Sequence, residues 1–177
     1  MRRTSFATWP CSVARTMDLL GDQWTLLVLR EAYFGVRRFE RFQTELGIAR
    51  NTLTERLDRL TGAGLLERVR YQQKPTRYEY ALTEMGREFW PALAAIMHWG
   101  DRWLAGPAGP PLVFRHKTCG HETHAVVGCA HCGEPLRVRE VVAEPGPGAF
   151  EVGGARSAEG VERSGPDHVT PNGVAAS

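Results

Sequence analysis

Between Gly47 and Tyr80 the chain reads GIARNTLTERLDRLTGAGLLERVRYQQKPTRYEY, and no other stretch narrows the possible folds as much. Leu53, Leu57 and Leu60 recur at helical spacing and so share one face of a short helix. The Gly62-Ala63-Gly64 break ends that helix. Two runs with the β-branched and aromatic character of strands follow, at 65–71 and 77–82. Pro75 lies between them; it cannot donate to a sheet ladder and belongs at a hairpin tip. A helix, a glycine break and a basic hairpin, in this order, are the parts of a recognition helix and a wing. The expected architecture is a winged helix-turn-helix, mainly α with a small β wing, whose partner is double-stranded DNA.

The flanking sequence supplies the rest of such a domain, over residues 11–104. Helical periodicity starts near Cys11, after Pro10, with Val13, Met17 and Leu20 on one face and Gly21 as the stop. Asp22 is placed to cap a second helix carrying Trp24, Leu27, Val28 and Leu29, which Gly35 closes. Residues 38–46 form a short helix with Phe39, Phe42 and Leu46, and Gly47 supplies the tight turn before the recognition helix at about 50–61. Downstream, Thr83 caps a long helix expected to reach about Leu104. Its stripe of Phe89, Leu93, Ile96, Gly100 and Trp103 is longer than a small domain needs for its own core, which marks a candidate homodimer interface. Residues 105–111 (AGPAGPP) read as a linker, 112–142 as a compact Cys/His segment, and 143–177 as a tail. Eleven of the tail's 35 residues are Gly or Pro. Such a composition buries too little apolar surface to offset its ordering entropy and predicts disorder.

Charge is distributed to match. Residues 37–78 hold ten basic and five acidic side chains, a local excess of five in a chain whose formal net charge is +2. A basic stripe on a helix-turn-helix suits a polyanion. No apolar run approaches the ~20 residues of a membrane helix. The basic N-terminus has no hydrophobic region after it, so a cytoplasmic protein is expected.

On the recognition helix, Asn51, Thr54, Glu55 and Asp58 should point outward, with Thr52 and Arg59 to the side. Asn pairs bidentately with adenine, Thr packs on a thymine methyl, and Glu accepts from a cytosine amino group. Arg50, at the helix N-terminus, and Arg59 are candidates to hold the phosphate backbone. In the wing, Gln73, Lys74 and Arg77 surround Pro75 and are candidates for phosphate or minor-groove contacts.

His116-Lys-Thr-Cys119-Gly and Cys129-Ala-His-Cys132-Gly repeat one form, ligand-x-x-ligand-Gly. Two such knuckles supply the four N/S ligands that a closed, structural zinc site requires, so 112–142 reads as a zinc-ribbon-like β segment with strands at 112–115, 123–127 and 136–142. His116 fits the repeat best as fourth ligand, with His121 and His124 as alternatives. A degenerate ribbon folding without metal is the competing possibility. Cys11 stands apart, at the start of a helix where anions are favoured and with Arg15 one turn on.

Several of these segments together resemble the HxlR family of winged-helix transcriptional regulators, relatives of MarR-type proteins. The resemblance runs over about residues 11–104. It is carried by Cys11, by G-x-x-W-T at Gly21–Thr25, by R-F-x-x-F at Arg38–Phe42, by I-x-x-x-x-L-T-x-R-L-x-x-L from Ile48 to Leu60, by Gly64-Leu65-Leu66 and by Y-x-L-T-x-x-G from Tyr80 to Gly86. It implies a homodimer on a palindromic operator, and a cysteine at the position of Cys11 implies an oxidant- or electrophile-responsive regulator. Asp22-Gln23 departs from the Gly-Lys or similar pair usual in that family, a change bearing on the capping of the second helix. The operator, the regulated genes, the effector and the sign of regulation are not legible. The runner-up function is an interaction adaptor that uses its zinc ribbon on a winged-helix scaffold. An enzyme is not expected, because no GxSxG, P-loop, HExxH or open three-ligand metal site occurs.

Overall fold

The computed structural model describes residues 5–149. Contacts divide the chain into residues 1–144 and 145–177. Of the second unit only 145–149 is described, ending in the 3-10 turn Pro147–Ala149. The disorder expected of the tail otherwise falls on residues outside the described ones.

The first unit begins with four helices: α1 (Ser12–Leu20), α2 (Thr25–Tyr33), α3 (Phe39–Leu46) and α4 (Arg50–Gly62). Strands β1 (Leu66–Gln72) and β2 (Arg77–Leu82) pair antiparallel, with Leu66 opposite Leu82, Arg68 opposite Tyr80 and Arg70 opposite Tyr78. The register shifts between Arg70 and Gln72. This inserts Tyr71 as an extra residue and bends the wing. The helix-rich winged helix-turn-helix expected from the sequence is the fold observed.

What fixes α4 is its apolar stripe. Leu53, Leu57 and Leu60 are sealed completely, in one cluster with Val28, Leu29, Phe42 and Leu66. The turn before it is held from both sides: Gly47 adopts the left-handed conformation at φ 60°, and Ile48 is buried. A side chain at position 47 would be strained by that backbone. Phe42 of α3 meets the ring of Tyr80 edge-on at 6.4 Å, which ties the first helix of the motif to the wing.

The long helix after Thr83 is instead two, α5 (Glu84–Glu88) and α6 (Trp90–Leu104), which share Phe89 as a cap. Pro91 explains the break. It has no N–H to give to a carbonyl one turn back and is tolerated only in a first turn. Thr83 does cap, accepting the Gly86 N–H at 3.1 Å. Gly86 lies so close to the Leu65 carbonyl that a Cβ there would overlap it, and Tyr33 of α2 donates its hydroxyl to the Gly86 carbonyl. Burial pushes the Tyr33 phenol up to about 12. On α6, Leu93 and Ala94 are buried, whereas Ile96, Trp99 and Trp103 form a separate exposed stripe.

After α6, the expected ribbon strands are shorter than the sequence suggests. Strands β3 (Phe114–Arg115) and β4 (Glu122–Thr123) pair antiparallel over two residues each. A second hairpin is held by a single bridge between Gly128 and Pro135. Residues 136–142 form no strand. A turn closes there instead, with the Glu140 N–H donating to the Arg137 carbonyl at 2.9 Å.

Candidate nucleic-acid interface

Three elements meet around one cleft of about 680 Å³: the start of α3, the N-terminus of α4 and the outer face of the wing. Arg38, Arg41, Arg50, Arg68 and Arg77 line it, against one acid, Glu40. Strand pairing sets part of this. Arg68, Tyr78 and Tyr80 fall on the same face of the hairpin because Arg68 lies opposite Tyr80, and the inserted Tyr71 reaches the same cleft.

The arginines are held by aromatic rings. Arg38 stacks over Tyr71 at 4.8 Å, Arg50 over Phe39 at 4.9 Å and Arg68 over Tyr78 at 4.7 Å. A guanidinium held over a ring loses much of its rotamer freedom while its N–H donors remain available to a ligand. None of these three has a carboxylate partner among the described residues. Arg41 pairs with Glu45 at 2.9 Å and Arg37 with Glu79 at 3.0 Å, which occupies both. The cleft therefore presents oriented, unpaired cations beside a helix N-terminus, a geometry that receives phosphate oxygens.

The residues marked from sequence on α4 divide into two groups. Arg50, Asn51, Thr54 and Glu55 are exposed, and Thr52 is half-buried. Thr54 donates its hydroxyl to the Arg50 carbonyl at 3.0 Å. Arg59 is turned inward: its guanidinium donates to the Asp18 carbonyl and lies 4.0 Å from Asp22, so it is engaged with α1 and the α1–α2 turn. In the wing, Arg77 reaches the cleft, while Gln73 and Lys74 stand exposed at the tip.

Asp22 has a larger part than capping. It accepts the N–H groups of Trp24 at 2.9 Å and Thr25 at 3.0 Å, and the hydroxyl of the fully buried Thr25. The same carboxylate receives Arg56 Nε of α4 at 2.9 Å. Burial alone would raise its pKa, but the Thr25 hydroxyl, the two N–H groups and the Arg56 charge outweigh that and hold it below the ordinary value. One side chain thus joins the start of α2 to the middle of the recognition helix.

Cys11 is the N-cap of α1 and is exposed, its Sγ accepting the Ala14 N–H at 3.5 Å. In the Cys/His segment the structure forms each predicted ligand pair separately. His116 Nδ1 lies 3.3 Å from Cys119 Sγ. Hydrogen bonds from the Cys132 and His131 N–H groups and from the Cys132 side chain hold the Cys129 thiol below its usual range. No three His, Cys, Asp or Glu side chains converge around one point among the described residues. No helix among those residues is long and apolar enough to cross a membrane.

Comparison with known proteins bears on the family and the fold. Residues 19–107 match the HxlR-like helix-turn-helix family. An uncharacterized HTH-type transcriptional regulator of Mycobacterium tuberculosis is 50% identical over 137 residues, covering 77% of this chain and 87% of that protein. A regulator of the same description from Synechocystis is 41% identical over 95 residues, covering 53% of this chain and 70% of its own. The solved structure of PA1607, provisionally assigned as a transcription factor, is 33% identical with a TM-score of 0.72, over 80% of this chain and 99% of that one. PA1374 from Pseudomonas aeruginosa, assigned in the same way, is 36% identical with a TM-score of 0.56, over 80% and 96%.

Proposed function

The chain belongs to the HxlR-like helix-turn-helix family of DNA-binding transcriptional regulators, which are not enzymes, and from there we propose that it acts in the cytoplasm as a homodimer on a palindromic operator, with Cys11 as a redox-responsive thiol. The observation that carries the DNA-reading part is the arginine cleft joined to the exposed N-terminal half of α4. Arg38, Arg50, Arg68 and Arg77 take phosphates and fix the register of α4 in the major groove. Asn51, Thr54 and Glu55 then read base edges, while Gln73 and Lys74 at the wing tip approach the neighbouring backbone or minor groove.

The dimer is supported by the face that α6 leaves uncovered. Ile96, Trp99 and Trp103, at i, i+3 and i+7, are 49%, 56% and 62% exposed. Two tryptophans and an isoleucine on one helical stripe are costly to leave in water, and a second copy of the same helix covers them symmetrically. Two-fold pairing sets two recognition helices about one DNA turn apart, which is what a palindromic operator requires. For Cys11, its exposure at a helix N-terminus supports the reading. Oxidation there to a disulfide or a small-thiol cap alters the start of α1, whose C-terminal turn is joined to α4 through the Asp18 carbonyl and Arg59.

Selection of bound duplexes from a random or genomic pool, with and without oxidant, tests the reading. A two-fold symmetric consensus that is lost or altered on oxidation is the expected result. A purified protein with no preference for any sequence would remove the operator-reading function.

A further inference from the structure

The two knuckles are alike in backbone as well as in sequence. In the first, the His116 N–H donates to the His121 carbonyl at 2.9 Å and the Gly120 N–H to the His116 carbonyl at 2.7 Å. In the second, the Cys129 N–H donates to the Glu134 carbonyl at 2.8 Å and the Gly133 N–H to the Cys129 carbonyl at 2.8 Å. Gly120 and Gly133 both take the left-handed conformation, at φ 74° and 78°. The same bonds at the same offsets put His116 where Cys129 stands and Cys119 where Cys132 stands. By the same offsets His121 falls where Glu134 stands and His124 where Arg137 stands, so neither position carries a His or Cys in both knuckles.

A second observation is independent of the ligands. From residue 112 to 142 no side chain is buried, and Val126, Val127, Leu136, Val138 and Val142 are all exposed. About thirty residues without a core do not hold a fold unaided and need a staple. The first hairpin is anchored: Phe114 meets Trp90 of α6 edge-on at 5.4 Å, and His124 stacks on His98 of α6 at 4.2 Å. The second hairpin has no ring contact of that kind among the described residues.

We propose that His116, Cys119, Cys129 and Cys132 together bind one zinc ion per chain, in a closed structural site formed when the second knuckle folds onto the first. The donor set is three thiolates and one neutral imidazole, which suits zinc and leaves no position open for catalysis. Binding displaces the thiol protons into solvent, and the N–H groups behind Cys129 already point at its sulfur. The ion draws the second hairpin toward the first and so toward α6, on which the first is docked. This goes beyond the DNA-reading function and does not depend on it.

The test uses the full chain, reduced, stripped of metal and titrated with cobalt(II) and then zinc. The expected result is one cobalt per chain with the strong visible bands of tetrahedral thiolate coordination, displaced by one zinc. Cys119→Ser, Cys129→Ser and His116→Ala should each weaken binding by more than about 100-fold, beyond what the loss of a supporting contact around a metal costs. His121→Ala and His124→Ala should leave it unchanged. An octahedral cobalt spectrum, or no metal retained after dialysis, would overturn the site. One ion per two chains would also overturn it, because the knuckles would then be shared between copies. Loss in His124→Ala with retention in His116→Ala would overturn the ligand assignment. An unchanged helical circular-dichroism spectrum in Cys129→Ser, from the helices of residues 12–104, shows that the winged helix is still folded, so a lost metal is not a lost protein.

Discussion

Asp22→Ala removes the most connected side chain in the winged helix, and the cost can be built from its partners. Two N–H groups at the start of α2 lose their acceptor, a capping loss of about 1 kcal/mol. The Thr25 hydroxyl, fully buried, is left without the carboxylate that accepts from it, at about 1–3 kcal/mol. Arg56, 21% exposed, loses a charge-assisted bond that partial solvation reduces to about 1 kcal/mol. Because the three share one atom group they do not add fully, and a total of roughly 3 kcal/mol is expected. For a domain of this size that lowers the melting temperature by about 12 °C or more. Asp22→Asn keeps one acceptor oxygen for the two N–H groups and Arg56 but replaces the other with an NH2, which can only donate to the Thr25 hydroxyl, so with the charge also lost it should cost about 1–2 kcal/mol, less than the alanine variant. Acidity gives a matching signature. The folded carboxyl titrates below its ordinary 3.8, so its stabilisation is complete above that value and is lost as pH falls through the lower folded one. Wild-type stability should therefore drop more steeply than that of Asp22→Ala on acidification from about pH 5 to 3. Denaturant melts across that range are the assay. An Asp22→Ala protein within 1 kcal/mol of wild type at pH 7, or an Asp22→Asn protein as damaged as the alanine variant, would refute the reasoning.

On the DNA surface, Arg38→Ala or Arg68→Ala should weaken all sequences alike and reduce the slope of log K against log salt by about two for a dimer, since each contact is lost twice. Arg68→Lys keeps the charge but loses the fork and its stack on Tyr78, and should bind several-fold more weakly than wild type. Asn51→Ala or Thr54→Ala should instead flatten base preference at particular positions, at about 1–3 kcal/mol each, as read by competition between operator variants. Trp99→Ala with Trp103→Ala should shift sedimentation toward monomer, because central aromatic anchors are worth about 2 kcal/mol or more each. Cys11→Ser should abolish the response of operator binding to oxidant while leaving reduced affinity unchanged; a response that persists in the variant rules out this thiol as the sensor.

Which parts of this molecule can be read from its sequence depends on how far apart the cooperating residues lie. The recognition helix is legible because its determinants are local: Leu53, Leu57 and Leu60 repeat within two turns, and Gly47 marks the bend before them. The break at Phe89 is not legible from periodicity, since an apolar stripe keeps its spacing across a cap; Pro91 was the available signal and it outweighs the stripe. The arginine cleft escapes for a different reason. Arg68 lies under Tyr78 only because the wing pairs in one register, and Tyr71 reaches Arg38 only because a residue is inserted there, so neither contact exists until β1 and β2 are aligned. Asp22 is the strongest case. Read locally it is a helix cap, and its bond to Arg56, 34 positions away, depends on α2 and α4 packing their buried leucines together. The inward turn of Arg59 follows from the same packing, for both arginines sit on the side of α4 that faces the α1–α2 turn. Asp22 therefore reaches the recognition helix itself, and substituting it acts on how α4 is held while leaving the exposed side chains of Arg50, Asn51, Thr54 and Glu55 in place.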